Sequence, residues 1–314
     1  MNIRSLLQSR GRLVLDGGLA TSCEALGANL SGALWSARLL RDEPALLEKA
    51  HAQFTEAGAD VCITASYQAH HSSLQTHLGT DSAQATRLIA SSVTIARAAA
   101  ASCAAAAEGR PTAVAGSIGP YGACLADGSE YTGAYSSMPA AELADWHRHR
   151  FEALVDAGSD FLAMETIPCR SEVVAMCSLL RTRPEATAWL SLVCSSGEHI
   201  TSGERVVDCV ADIERLDTAG QIDAVGVNCT SPRHVSALIR TIREATDRPI
   251  VVYPNSGEQW DSAAGMWRDG TSMGPADFAD LATSWYAEGA ALVGGCCRVG
   301  PDFIAAVRAV VDRS

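Results

Sequence analysis

Ala224-Val225-Gly226-Val227-Asn228-Cys229-Thr230 and Ala291-Leu292-Val293-Gly294-Gly295-Cys296-Cys297-Arg298 share one form: a short apolar run that stops at cysteine. Runs this short, closed by turn-forming residues, read as buried strands rather than helices. Six more precede or separate them: Leu13–Leu15, Val61–Ile63, Thr112–Ala115, Phe161–Met164, Ala188–Cys194 and Pro249–Tyr253. Between the runs lie helix-like tracts, at about Pro44–Ala57, Ser82–Ala107, Pro139–Ala157, Ser171–Arg181, Val206–Leu216, Pro232–Ala245, Pro275–Glu288 and Pro301–Val311. Several open with proline and close at glycine, the asymmetry helices prefer. Eight strand–helix cycles without a linker predict a single α/β domain over residues 1–314, a (β/α)8 TIM-type barrel. A doubly wound open sheet is the alternative.

Composition narrows the function classes. The 314 residues are 47% hydrophobic and carry a formal charge of −12. That balance offers no basic face to nucleic acid or to an anionic membrane, and mildly favours a cationic small substrate. Arg4, Arg10 and Arg12 interrupt any signal-peptide pattern, and the alanine-rich tract at 98–107 is too short to span a bilayer. Eleven cysteines without a secretory signal predict a reduced, cytoplasmic protein. In that compartment clustered cysteines point to metal or catalysis.

A barrel carries its chemistry on the loops at the C-terminal ends of its strands. The polar residues just past the runs are Asp16, Ser66, Glu165, Asn228, Cys229, Asn255, Cys296 and Cys297, and a barrel brings all of them to one rim. Three thiolates suit Zn²⁺, and three protein ligands leave a fourth position open, as in catalytic rather than structural zinc. Adjacent strand residues point to opposite faces. Cys296 and Cys297 therefore share an ion only where the backbone bends, and Gly294-Gly295 is read as the source of that freedom. The eighth strand is expected beside the sixth. The other eight cysteines (Cys23, Cys62, Cys103, Cys124, Cys169, Cys177, Cys194 and Cys209) read as small hydrophobes.

Asp16 precedes two glycines, so a ligand can approach that backbone closely. Glu165 ends an apolar run, where a carboxylate needs a partner or a ligand cation. Together they suit the ammonium group of an amino acid. His70-His71 lacks a matching third ligand and reads as solvated or flanking the substrate. No phosphate cradle is present. Two long loops, Gly116–Tyr135 and Ser256–Gly274, read as functional, with Tyr121, Tyr131, Trp260 and Trp267 as lid candidates.

At this point the residues resemble a known family. Asp16-Gly17-Gly18, Ile63-Thr64-Ala65-Ser66-Tyr67-Gln68, Glu165-Thr166-Ile167-Pro168, Val227-Asn228-Cys229 and Gly294-Gly295-Cys296-Cys297-Arg298, in that order, are similar to the homocysteine S-methyltransferases. Gly116–Ala123, Leu125–Tyr131 and Val252–Glu258 look like the compact subgroup that uses S-methylmethionine or S-adenosylmethionine. The chain lacks the extra length of the betaine-dependent relatives and the folate and cobalamin modules of the large methionine synthases.

The resemblance implies zinc on Cys229, Cys296 and Cys297. It also implies L-homocysteine near Asp16, Gly17, Gly18, Ser66, Glu165 and Asn228, with Tyr253 and Asn255 as further substrate contacts. The reaction it implies is methyl transfer from a sulfonium donor to the homocysteine thiolate, giving methionine. Two rival readings remain: a soft-metal-binding or redox-active vicinal-cysteine barrel without turnover, and a zinc transferase with another thiol acceptor.

Overall fold

The computed structural model describes residues 1–30, 34–103, 110–125, 127–257 and 273–313, with the backbone of 260–261 and 266–267. Its centre is a sheet of eight parallel strands: Leu13–Val14, Val61–Ile63, Ala113–Ile118, Phe161–Ile167, Ala188–Leu192, Ile222–Asn228, Ile250–Tyr253 and Ala290–Val293. Numbered along the chain, they pair in the order 1-8-7-6-5-4-3-2. A parallel bridge between Leu15 and Val61 joins the two outer strands, and the sheet curls into a barrel. The alternation of runs and helices therefore predicts the fold correctly, and the open sheet is excluded. One neighbour relation differs from expectation: the seventh strand lies between the sixth and the eighth.

Two apolar layers hold the barrel. Inside it, the small Ala113, Ala115, Ala163 and Ala224 make room for the large Phe161, Trp189 and Tyr253. Ile3 and Leu6 belong to the same cluster, so the first helix (Ile3–Arg10) plugs the N-terminal end. Asn2 and Ser5 form a capping box that starts this helix. Outside, a larger layer packs helices on the sheet, including Leu47 and Phe54, Val235 and Leu238, and Ile304 and Val307. Each such side chain contributes about 1.5–3 kcal/mol on burial.

The long helix is described over Ser82–Ser102, started by an Asp81–Gln84 capping box, and its expected extension to Ala107 lies outside the described residues. The same holds for Glu258, the side chains of Trp260 and Trp267, and most of the Ser256–Gly274 loop. Short helices at Leu19–Ala25, His71–Leu78 and Tyr121–Leu125 line the C-terminal side and have no counterpart in the sequence reading. Among the described residues, no helix is long and apolar enough to cross a membrane.

The N-terminal end is held by ion pairs converging on Asp60, the residue before the second strand. Its carboxylate accepts from Arg10 Nη1 at 2.7 Å, from the Val14 amide at 2.9 Å and from Arg308 Nη1 at 3.2 Å. Asp60→Ala leaves Arg10 with only the Pro111 carbonyl and Arg308 with only Asp312, and frees the Val14 amide, a loss of about 1–3 kcal/mol. Urea melts should show that drop while turnover at low temperature is kept. Unchanged stability would remove Asp60 from this role.

Candidate metal and substrate site

Cys229 follows the sixth strand, and Cys296 and Cys297 lie beyond the eighth. Their sulfurs fall within 4.8 Å of one another, with Cys229 Sγ 3.9 Å from Cys297 Sγ. Sulfurs at the corners of a zinc tetrahedron with Zn–S bonds of about 2.3 Å sit about 3.8 Å apart. The thiols are thus already near ligand spacing.

The bends that aim them differ from the expected ones. Neither Gly294 nor Gly295 has a positive φ; the left-handed residues are Cys229 (φ 49°) and Arg298 (φ 66°). The glycines are needed for space instead. A Cβ on Gly294 would lie 2.5 Å from Leu15 Cβ, and one on Gly295 would lie 2.1 Å from Val299 Cγ1. Gly295 N donates to Asp16 O at 3.0 Å and Cys296 N to Pro254 O at 2.8 Å, so the cysteine loop is tied to the ends of strands one and seven. The three thiols share protons: hydrogen bonds from Cys229 and Cys296 hold Cys297 well below the usual thiol range, while Cys229 and Cys296 are raised.

The sulfurs open onto a cavity of about 400 Å³, a size suited to small ligands. Of the expected substrate residues, Gly17, Gly18, Glu165, Asn228 and Tyr253 line it. Asp16, Ser66 and Asn255 do not. Asp16 is buried behind the wall, where Oδ2 accepts from the Ile63 amide at 2.7 Å. Burial, then the Glu165 charge, push its carboxyl well up, and Oδ1 has no partner. Ser66 Oγ donates to Ser117 O at 2.8 Å. Asn255 is half-buried with Oδ1 unpartnered.

Of the two expected carboxylates, Glu165 is the one that reaches the cavity. Ser117 Oγ donates to it. Burial nonetheless raises Glu165 to about 7. Thr166 beside it has φ 61° within a strand irregularity, costly for a β-branched residue. Asn228 holds it there: Oδ1 accepts from Thr166 N and Nδ2 donates to Thr166 Oγ1, both at 2.7 Å. Ser191 Oγ also donates to Asn228 Oδ1, at 2.8 Å.

Asn228→Ala is therefore expected to cost about 1–3 kcal/mol and to raise KM for the amino-acid substrate by loosening Glu165. Steady-state kinetics beside thermal melts check this; an unaltered KM would leave Asn228 a purely structural residue.

The sequence reading missed several lining residues. Tyr67 lies on the wall with its hydroxyl buried and unpartnered, and Trp35, Glu24 and Arg298 stand around it. They come from turns and short helices without a periodic signal. Tyr131, a lid candidate, does line the cavity. His70 and His71 are neither solvated nor in the cavity. His70 caps the helix His71–Leu78, accepting from the Ser72 amide at 3.2 Å, and stacks on Trp146 with ring centroids 3.5 Å apart. His71 Nε2 meets Thr86 Oγ1 at 2.9 Å. Seven of the other eight cysteines are buried, as expected of core residues; Cys124 is half-buried.

Fold and site together define a (β/α)8 barrel with a cavity at the C-terminal ends of its strands and three cysteines that could hold a metal ion. Comparison with known proteins narrows the class. The family model described as homocysteine S-methyltransferase matches residues 13–311. Homocysteine S-methyltransferase YbgG of Bacillus subtilis is 42% identical over 98% of this chain and 96% of its own length. Homocysteine S-methyltransferase of Escherichia coli is 43% identical over 98% and 97%. The metallated form of the E. coli homocysteine methyltransferase MmuM superposes with a TM-score of 0.87 at 40% identity, covering 99% of both chains. The chain belongs to the homocysteine S-methyltransferase family.

Proposed function

We propose that this barrel transfers a methyl group from a sulfonium donor, S-methylmethionine or S-adenosylmethionine, to homocysteine, with zinc on Cys229, Cys296 and Cys297. The observation that carries the metal assignment is the sulfur geometry: three thiols already at ligand spacing on one wall of a cavity. A structure of a relative in metallated form agrees with it. Zinc held by Cys229, Cys296 and Cys297 would lower the pKa of a substrate thiol, so that the thiol would lose its proton to solvent at neutral pH. Eleven free cysteines suit a reducing cytoplasm.

The chain's own residues do the rest. Glu165, held by Ser117 and the Thr166–Asn228 clamp, receives the homocysteine ammonium group. Asp16 reinforces that end of the site from behind, fixing strand one against Ile63. Trp35, Tyr67 and Tyr131 offer ring faces for the positive sulfonium. The homocysteine sulfur attacks the methyl carbon in line. One S–C bond forms, the donor's S–C bond breaks, and its electron pair returns to the donor sulfur as a neutral thioether. An anionic and a cationic centre disappear together, a step that a water-poor cavity favours. Once the thiol proton has gone, no protein base takes part, so these residues act by orientation.

Incubation of purified protein with homocysteine and each donor, with assay of methionine and bound zinc, tests the reading. Methionine formed over many turnovers by zinc-loaded protein is the expected result. Thiol chemistry that stops at one equivalent would favour the vicinal-cysteine alternative.

A further inference from the structure

Outside the barrel, behind the loops that follow strands two and three, lies a fully buried polar cluster of Arg150, His147 and Glu172. Arg150 and His147 come from the helix Ala140–Asp156, and Glu172 from the helix Arg170–Leu180. None of the three touches the cavity.

Their hydrogen bonds have a defined direction. Arg150 Nη2, which only donates, lies 2.8 Å from His147 Nδ1, so that nitrogen accepts. His147 is therefore neutral with its proton on Nε2, and that proton goes to Glu172 Oε1 at 2.7 Å. Burial, which keeps His147 down at about 4, agrees. Arg150 also donates from Nη1 to Tyr67 O at 2.8 Å and from Nη2 to Gly119 O at 2.5 Å. Glu172 accepts twice more: from the Tyr121 amide into Oε1 and from the Tyr135 hydroxyl into Oε2, each at 2.7 Å.

Both ends of the segment from Tyr121 to Tyr135 thus converge on one carboxylate. Between them the segment carries Tyr131, which lines the cavity together with Cys229, Cys296 and Cys297. The guanidinium at the other end of the cluster fixes the backbone of Tyr67, on the same cavity wall. Gly119 completes the fit: a Cβ there would lie 2.6 Å from the Tyr67 ring and carbonyl oxygen.

We propose that Arg150, His147 and Glu172 are positioning residues that hold Tyr67 and Tyr131 against the three thiols and so control access to the metal position. The three form one unit. A carboxylate with three donors and a guanidinium bonded to two carbonyls are joined through a neutral imidazole, so opposite charges balance inside the protein. The consequence for the reaction rests on the methyltransferase reading; the covering of the thiols does not.

The test is therefore thiol labelling, which needs no turnover. Iodoacetamide modification of Cys229, Cys296 and Cys297 is followed by mass spectrometry, in protein as purified and after removal of metal by chelator. Cys177, buried on the same helix as Glu172, reports any general opening of that helix. Tyr131→Ala sets the rate for uncovered thiols. Glu172→Gln presents an amide where three donors converge, and Tyr135→Phe deletes one donor with little other change.

Labelling of the three thiols should rise roughly tenfold or more in E172Q, as befits the loss of charge-assisted hydrogen bonds. It should approach the Y131A rate, with a smaller rise in Y135F and none at Cys177. Unchanged labelling of the thiols in both variants, or an equal rise at Cys177, overturns the proposal. If E172Q does not fold, the Y135F comparison decides in the same way.

Discussion

Cys229→Ala is expected to release the metal and to reduce methyl transfer by at least roughly 10³-fold, about 4 kcal/mol of transition-state stabilisation. The remaining thiols come from adjacent residues on one loop. Two sulfurs of that kind supply neither the charge nor the three-cornered geometry that leaves a single open position. Metal analysis and a methionine assay on the same preparation check both effects together. A metal-free variant with normal turnover would sink the zinc mechanism and move the chemistry elsewhere in the cavity.

A companion substitution separates function from stability at this position. Cys229 has φ 49°, where glycine is at ease and other residues are strained. Cys229→Gly should lose the metal as fully as the alanine variant yet melt higher than it. The left-handed turn is held by neighbouring bonds, including Cys229 N to Tyr253 O at 3.3 Å. A strained residue kept at a strand end, where glycine would relieve the strain, indicates that the position is retained for its sulfur.

What could be read from the sequence follows from what the fold demands locally. Parallel barrel strands are buried on both faces, so they stand out as apolar runs, and the polar residue that ends each one is visible. That is how Cys229, Cys296, Cys297 and Glu165 were found. Which way a side chain points after the strand ends depends on backbone turns that the residue types do not announce. Asp16 and Ser66 therefore reach the expected rim but turn into the wall, whereas Glu165 reaches the cavity.

Turn chemistry also misled at the glycines. Gly294 and Gly295 read as conformational freedom, yet they are sites of close approach to Leu15 and Val299. Partners distant in sequence decide that, and the order of residue types along one chain does not display them. His70-His71 misled for a related reason: Trp146 and Thr86, both on other helices, take up the two imidazoles. The Arg150–His147–Glu172 cluster gave no signal because each member looks like an ordinary polar helix residue until two helices and two loops meet.

Glu165→Gln is expected to lower kcat/KM for homocysteine by roughly 10²–10³-fold, the loss that follows removal of one partner from a buried charge pair. The pH dependence is the sharper result. Burial holds the Glu165 carboxyl at about 7 against a usual 4.5. The raised value means that the empty site favours the protonated acid, whereas a bound ammonium group favours the carboxylate. Affinity for an amino-acid ligand should therefore rise as pH increases through about 7 and then level off. Methionine is the ligand to use in a binding titration, because it brings no thiol proton of its own.

Stability of the ligand-free protein should move the other way. Below pH 4.5 the group is protonated in both the folded and the unfolded chain, so it has no effect. Between 4.5 and about 7 the unfolded chain releases the proton that the folded chain still holds, so stability falls as pH rises and stays lower above it. E165Q cannot ionise. It should match the parent near pH 4, exceed it at pH 8 by at most a few kcal/mol, and bind methionine weakly with no inflection near 7. A parent profile that is flat through 7 in both binding and stability would show that Glu165 is not the group that meets the ammonium.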